Sequence, residues 1–231
     1  MKLRNQKGRK DGNSAYKRVF NNTELGDLIS KIQATVISNG NELEKIILSQ
    51  TNTIDNLNEF IDKAEIGVIE NGVFVCPKKI IKASNYAVKN PIDNKGIEPD
   101  LLIFVVEKHR ICKIVELKDG DTFDTKKAAG EKEHLVTFLK EFGSKIPFRT
   151  ELYICSFNQN DINAIKTGLK NTFKEEEILT GRAFCDILHL DYDSIIKSRL
   201  EDAEDNFNYF IEELVEIEQV RSKILEIIDK K

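Results

Sequence analysis

No stretch of this chain approaches the roughly 20 consecutive apolar residues needed to span a bilayer, and the N-terminus carries no apolar core of a secretion signal. The expectation is a cytoplasmic protein with no membrane partner. Cysteine is sparse: Cys76, Cys112, Cys155 and Cys185 are far apart and form no CxxC pair, which argues against structural zinc. Three of the four sit in apolar, strand-like runs, so reduced and buried thiols are expected. The three histidines, His109, His134 and His189, form no helix-spaced pair, which removes the HExxH class of metal site.

What is present is an ordinary globular composition, 40% hydrophobic and 32% charged over 231 residues, enough for one compact domain or a core with a small appendage. The net charge of −4 argues against a nucleic-acid partner, but its distribution does not. Residues 1–20 hold Lys2, Arg4, Lys7, Arg9, Lys10, Lys17 and Arg18 against the single acid Asp11, while the segment from Leu200 onward is acidic. Such a basic arm can neutralise phosphates by counterion release; it is equally readable as a solubilising tail.

The most informative stretch is Gly96–Asp124, GIEPDLLIFVVEKHRICKIVELKDGDTFD. Its two apolar runs, Leu101–Val106 and Ile111–Val115, predict a hairpin turning near Lys108-His109 and buried largely on both faces. Alternation along a strand puts Glu116 and Lys118 on one face and Leu117 on the other. Antiparallel pairing about that turn brings Asp100 beside Glu116 and Lys118. Charges on an apolar strand are costly unless they are paired, bind a metal or do chemistry. Two carboxylates facing one point are hard oxygen ligands suited to Mg²⁺, which also keeps waters.

Pro99-Asp100, Glu116 and Lys118, in their context of strand, turn, strand and following helix, resemble the PD-(D/E)xK nuclease motif. The size and layout of the chain are similar to those of type II restriction endonucleases. The resemblance implies an α/β fold with a mixed central sheet flanked by helices, an αβββαβ core, and here a long C-terminal helix. It implies that Asp100 and Glu116, with the Leu117 backbone carbonyl, hold Mg²⁺ at a scissile phosphodiester of double-stranded DNA while Lys118 assists the attacking water. A cognate DNA methyltransferase partner is implied with it. The same family often contributes a further carboxylate from the helix before the hairpin, for which Glu44 is the candidate against a plain surface residue.

Three segments follow from this reading: a basic arm 1–20, a nuclease domain 21–190 and a C-terminal helix 191–231. A helix is expected from Asn22 or Thr23 to about Ile37, broken at Asn39-Gly40, and a second from Asn41 toward Lys63. Ile66 to Val75 carries a hairpin signature about Asn71-Gly72. Pro77 to Ile97 reads as a basic, polar loop whose Lys78, Lys79 and Lys82 are candidate DNA contacts. Beyond the turn at Asp119-Gly120-Asp121, Asp124 or Thr125 caps a helix to Phe142, ended by Gly143. Lys126 and Lys127 at its start oppose the helix dipole, making phosphate contact a reasonable role. Glu131 lies on its apolar stripe, where it can assist the site, pair with Lys118 or stay at the rim.

A strand at Glu151–Phe157 and a short helix near Asp161–Leu169 complete the core. Thr180 to Leu188 reads as a capped helix whose Arg182 is a further DNA candidate. Leu200, Ala203, Phe207, Phe210, Leu214, Ile217, Ile224 and Ile228 mark one long final helix that docks on the core or forms a two-fold interface in a homodimer. The leading expectation is thus a Mg²⁺-dependent, sequence-specific endonuclease. The alternatives are a repair or recombination nuclease of the same fold, and a DNA-binding protein whose three charged residues form only a buried ion network.

Overall fold

The computed structural model describes residues 2–8, 15–90, 93–120 and 125–230. Its elements are α1 (Ala15–Phe20), α2 (Thr23–Ser49), β1 (Asn52–Thr53), α3 (Leu57–Glu65), β2 (Gly72–Pro77), α4 (Lys78–Ala83), β3 (Leu101–Val106) and β4 (Arg110–Lys118). There follow α5 (Thr125–Gly143), β5 (Arg149–Ser156), α6 (Ile162–Gly168), β6 (Ile178–Thr180), α7 (Gly181–Leu188), α8 (Tyr192–Leu200), α9 (Ala203–Glu216) and α10 (Glu218–Ile228). They form two compact units, one of Lys45–Tyr192 and one of Met1–Glu44 with Asp193–Lys231.

The larger unit is a mixed six-stranded sheet in sequential order β1 to β6, flanked by helices. β2, β3 and β4 form an antiparallel meander; β4, β5 and β6 run parallel. Parallel neighbours need a crossover, which α5 and α6 supply. β3 is Leu-Leu-Ile-Phe-Val-Val, apolar on both faces as a central strand must be. One face carries Leu102, Phe104, Cys112, Ile114 and Ile154, packed with Leu57 and Ile61 of α3, Phe138 and Phe142 of α5, and Ile165 of α6. The Phe104 ring meets Phe60 at 4.8 Å and Phe148 at 5.0 Å between centroids, a geometry aromatic quadrupoles favour. The hairpin, α5, β5, α6 and α7 stand where the sequence places them, and all four cysteines are free and buried.

Several local expectations are corrected. Asn39-Gly40 does not end a helix: α2 continues to Ser49. Leu28, Leu43 and Ile47 are buried on both sides of that point, and one glycine costs a helix only about 1 kcal/mol. The hairpin about Asn71-Gly72 loses its first strand. Gly67, at φ +77°, follows the C-terminus of α3, and the Val68 N–H reaches back to the Lys63 carbonyl at 3.0 Å, a Schellman closure. Ile66 and Val68 are 74% and 61% exposed and lie outside the strands of the sheet. The expected loop after Pro77 opens with α4, and Lys89 bridges Gly96 within it. Short strands β1 and β6 extend the sheet beyond the expected core. Arg9, Lys10, Asp11, Asp121 and Asp124 lie outside the described residues.

In the smaller unit the C-terminal segment is helical but divided: α8 ends at Leu200, and Ile217 in extended backbone separates α9 from α10. The charge polarity of the sequence is partly answered within this unit. Arg4 donates to Asp205 at 2.6 and 3.0 Å, Lys2 stands 3.9 Å from Asp202, and Lys17 pairs with Asp27 at 3.0 Å.

Candidate active site

Leu101 faces Val115 across the β3–β4 ladder, so one step further Asp100 faces Glu116. The Asp100 carboxylate is anchored from two sides. Its Oδ2 accepts from the Leu117 N–H at 3.0 Å, and its Oδ1 accepts from Lys78 Nζ at 3.1 Å. Its carbonyl also accepts from the Lys78 N–H at 2.9 Å, which fixes the start of α4 beside the start of β3.

Glu116 and Lys118 share the β4 face that looks toward α5, the arrangement that alternation requires. Lys118 Nζ donates to Glu116 and, at 3.2 Å, to Glu131 of α5. The site therefore gathers three carboxylates and two ammonium groups at the β4 terminus. Glu116 is only 6% exposed. Burial, with the charges of Asp100 and Glu131, pushes its carboxyl up to about 7 against the pull of Lys118. Burial of Lys118 acts to lower its pKa, but Glu116, Glu131 and Asp100 outweigh it, so Lys118 titrates above an ordinary lysine. Lys78 is likewise raised: burial opposes, Asp100 and Glu116 prevail.

The backbone under these side chains is tied to β5 and the turn after it by hydrogen bonds. The Phe157 N–H donates to the Lys118 carbonyl at 2.8 Å, and the Asn158 amide donates to the Asp119 carbonyl at 3.0 Å and carboxylate at 2.8 Å. These bonds use the β5 side of β4. In a strand one residue's N–H and C=O point to the same side, so Leu117, whose N–H meets Asp100, turns its carbonyl toward Asp100 as well. Among the described residues no group of three or more His, Cys, Asp or Glu gathers to hold a metal. Two carboxylates and a carbonyl are nevertheless a donor set that fits Mg²⁺, which is held by one or two carboxylates and completes its octahedron with water and phosphate.

The remaining sequence candidates are distributed as follows. Glu131 pairs with Lys118, one of the three roles open to it. Glu44 lies within α2, at the boundary residue of the smaller unit, and not near a helix start. Lys79 and Lys82 are exposed on α4, Lys126 and Lys127 on the first turn of α5. Arg182, at the start of α7, lays its guanidinium 4.9 Å from the centre of the Tyr192 ring. Lys78, a candidate DNA contact from the sequence, stands within the carboxylate cluster, a place the sequence does not show. Its signal was weak, a Lys-Lys pair following Pro77 with no hint of the register that brings it to Asp100.

The chain is 53% identical over 224 residues, 96% of its own length and 97% of the relative's, to the type II restriction enzyme HhaII of Haemophilus parahaemolyticus. No family model matches the chain, and no solved structure matches it.

Proposed function

The chain belongs to the type II restriction enzymes, which cut DNA at specific sequences, and from that premise we propose that it is a PD-(D/E)xK nuclease acting through Asp100, Glu116 and Lys118 on Mg²⁺-bound double-stranded DNA. The observation that carries the reading is the convergence of these three side chains at one end of β4, with the Leu117 N–H locking Asp100. Asp100, Glu116 and the Leu117 carbonyl would hold Mg²⁺. When bound, Mg²⁺ supplies charge neutralisation at the scissile phosphate and lowers the pKa of water.

Lys118 donates to Glu116 beside the proposed cation site. It orients the attacking water and steadies charge developing on the phosphate oxygens. Glu131 holds the ammonium in place. In-line attack at phosphorus breaks the bond to the 3′-oxygen and leaves a 5′-phosphate and a 3′-hydroxyl. Lys78 balances the negative charge of Asp100 and Glu116 before DNA arrives. Lys79, Lys82, Lys126, Lys127 and Arg182 are the proposed contacts to the DNA backbone. A homodimer, a cytoplasmic location and a companion DNA methyltransferase complete the proposal.

The test is cleavage of a bacteriophage genome by purified Asp100→Ala and Glu116→Ala proteins, with Mg²⁺ or with chelator. Discrete fragments are expected from the wild type with Mg²⁺ alone. Both variants are expected to keep the wild-type circular dichroism spectrum and DNA binding while losing cleavage. Wild-type cleavage by both variants refutes the site.

A further inference from the structure

Ser156 closes β5, and its side chain is fully enclosed, with 0% exposure. Its Oγ has no hydrogen-bond partner. A buried hydroxyl without a partner loses its hydration for nothing, and most such groups in folded proteins are satisfied. The register supplies the context: Ser156 is the residue directly opposite Lys118 in the parallel β4–β5 ladder, so the two side chains project from the same face. On its other side stands Thr180, whose hydroxyl already accepts from the Ala183 N–H at 3.1 Å. On the β4 side the idle hydroxyl has the Lys118 ammonium as its ladder neighbour, which carries three N–H groups and is held by Glu116 and Glu131.

We infer that Ser156 is a positioning residue for Lys118: its Oγ accepts a hydrogen bond from Lys118 Nζ when Glu116 turns its oxygens away to a cation. This rests on the proposed roles of Asp100, Glu116 and Lys118. In the resting arrangement Glu116 is the close partner of Lys118. A carboxylate that engages a divalent ion gives up part of that contact, and the ammonium needs a second acceptor to keep its place. Ser156 offers one that costs nothing to free. It lies on a backbone joined to β4 by the Phe157 N–H to Lys118 carbonyl bond at 2.8 Å. A neutral acceptor also leaves the ammonium its full charge for the phosphate, which another carboxylate would not.

The experiment uses full-length Ser156→Ala and a plasmid with one cleavage site, mapped by sequencing the ends of wild-type fragments. Three quantities are measured: melting temperature in chelator, DNA affinity in chelator, and the single-turnover cleavage rate after Mg²⁺ is added to the bound complex. Removing a hydroxyl that has no partner in the resting protein is expected to leave melting temperature and DNA affinity unchanged. The cleavage rate is expected to fall about ten- to a hundredfold, the scale of a hydrogen bond to a charged group. A wild-type rate overturns the inference, and so does a rate loss matched by an equal loss of melting temperature or affinity. If Asp100→Ala and Glu116→Ala are inactive while Ser156→Ala cleaves normally, this inference alone fails; if those two variants cleave normally, the parent reading fails with it.

Discussion

Glu116 and Lys118 are two residues apart and carry opposite charge, yet the fold treats them differently. Burial and two neighbouring acids make Glu116 harder to ionise, whereas Glu116 itself, with Glu131 and Asp100, raises Lys118 against its burial. A structural ion cluster on the opposite face of the sheet gives a contrast that can be measured. Glu151 accepts from Lys113 at 2.9 Å, the Tyr153 hydroxyl at 2.8 Å and Arg149 at 2.7 Å. Burial acts to raise its pKa, but these donors prevail and hold it below the ordinary 4.5. A carboxylate depressed in the folded state contributes stability that is fully present above its unfolded pKa and lost as pH falls through its folded one. Glu151→Gln is therefore expected to cost about 1 kcal/mol at neutral pH. The deficit should shrink below pH 4.5 in urea titrations against the wild type. A deficit of constant size down to the acid limit contradicts the assignment.

At the scale of elements, α2 shows how burial overrides local punctuation. Gly40 stands inside the helix with open space where a Cβ would go. Gly40→Ala is therefore expected to stabilise the protein by about 0.5–1 kcal/mol, read as a raised melting temperature. A lowered melting temperature would mean that the helix is interrupted there in solution. The central elements were legible because their signals are strong: continuous apolar runs at Leu101–Val106 and Ile111–Val115, an apolar stripe over Ala128–Phe142, a capping Thr180 before α7. The misread ones carry turn chemistry that suits two outcomes. Gly67 can close a helix or open a hairpin turn, and only the 6→1 bond to Lys63 decides. The same holds at the site: pairing about one turn was enough to place Asp100, Glu116 and Lys118 together, while Lys78 and Ser156 needed the β2–β3 and β4–β5 registers.

For the whole molecule, the distribution of apolar surface is uneven. Phe207, Ile211 and Val215 recur every four residues along α9 with exposures of 64%, 39% and 36%, and α10 exposes Leu225 and Ile228. An apolar helix face of this length is what a two-fold interface uses, and a dimer would present one site to each strand of a symmetric target. Sedimentation at micromolar protein is expected to give a dimer, and Phe207→Glu with Ile211→Glu a monomer of unchanged circular dichroism. A wild-type monomer at those concentrations refutes the proposed homodimer.

Periodicity is a property of neighbouring residues, so the amino-acid order alone determined the central hairpin, the helix after it and the pairing of Asp100 with Glu116: each depends on contacts spanning one turn. Which acid is buried, which lysine holds its proton, and which hydroxyl is left idle beside Lys118 depend on strands and helices brought together from distant parts of the chain. Tertiary structure decided those, because desolvation and charge coupling act through space, and their strength is set by distances that sequence separation does not record.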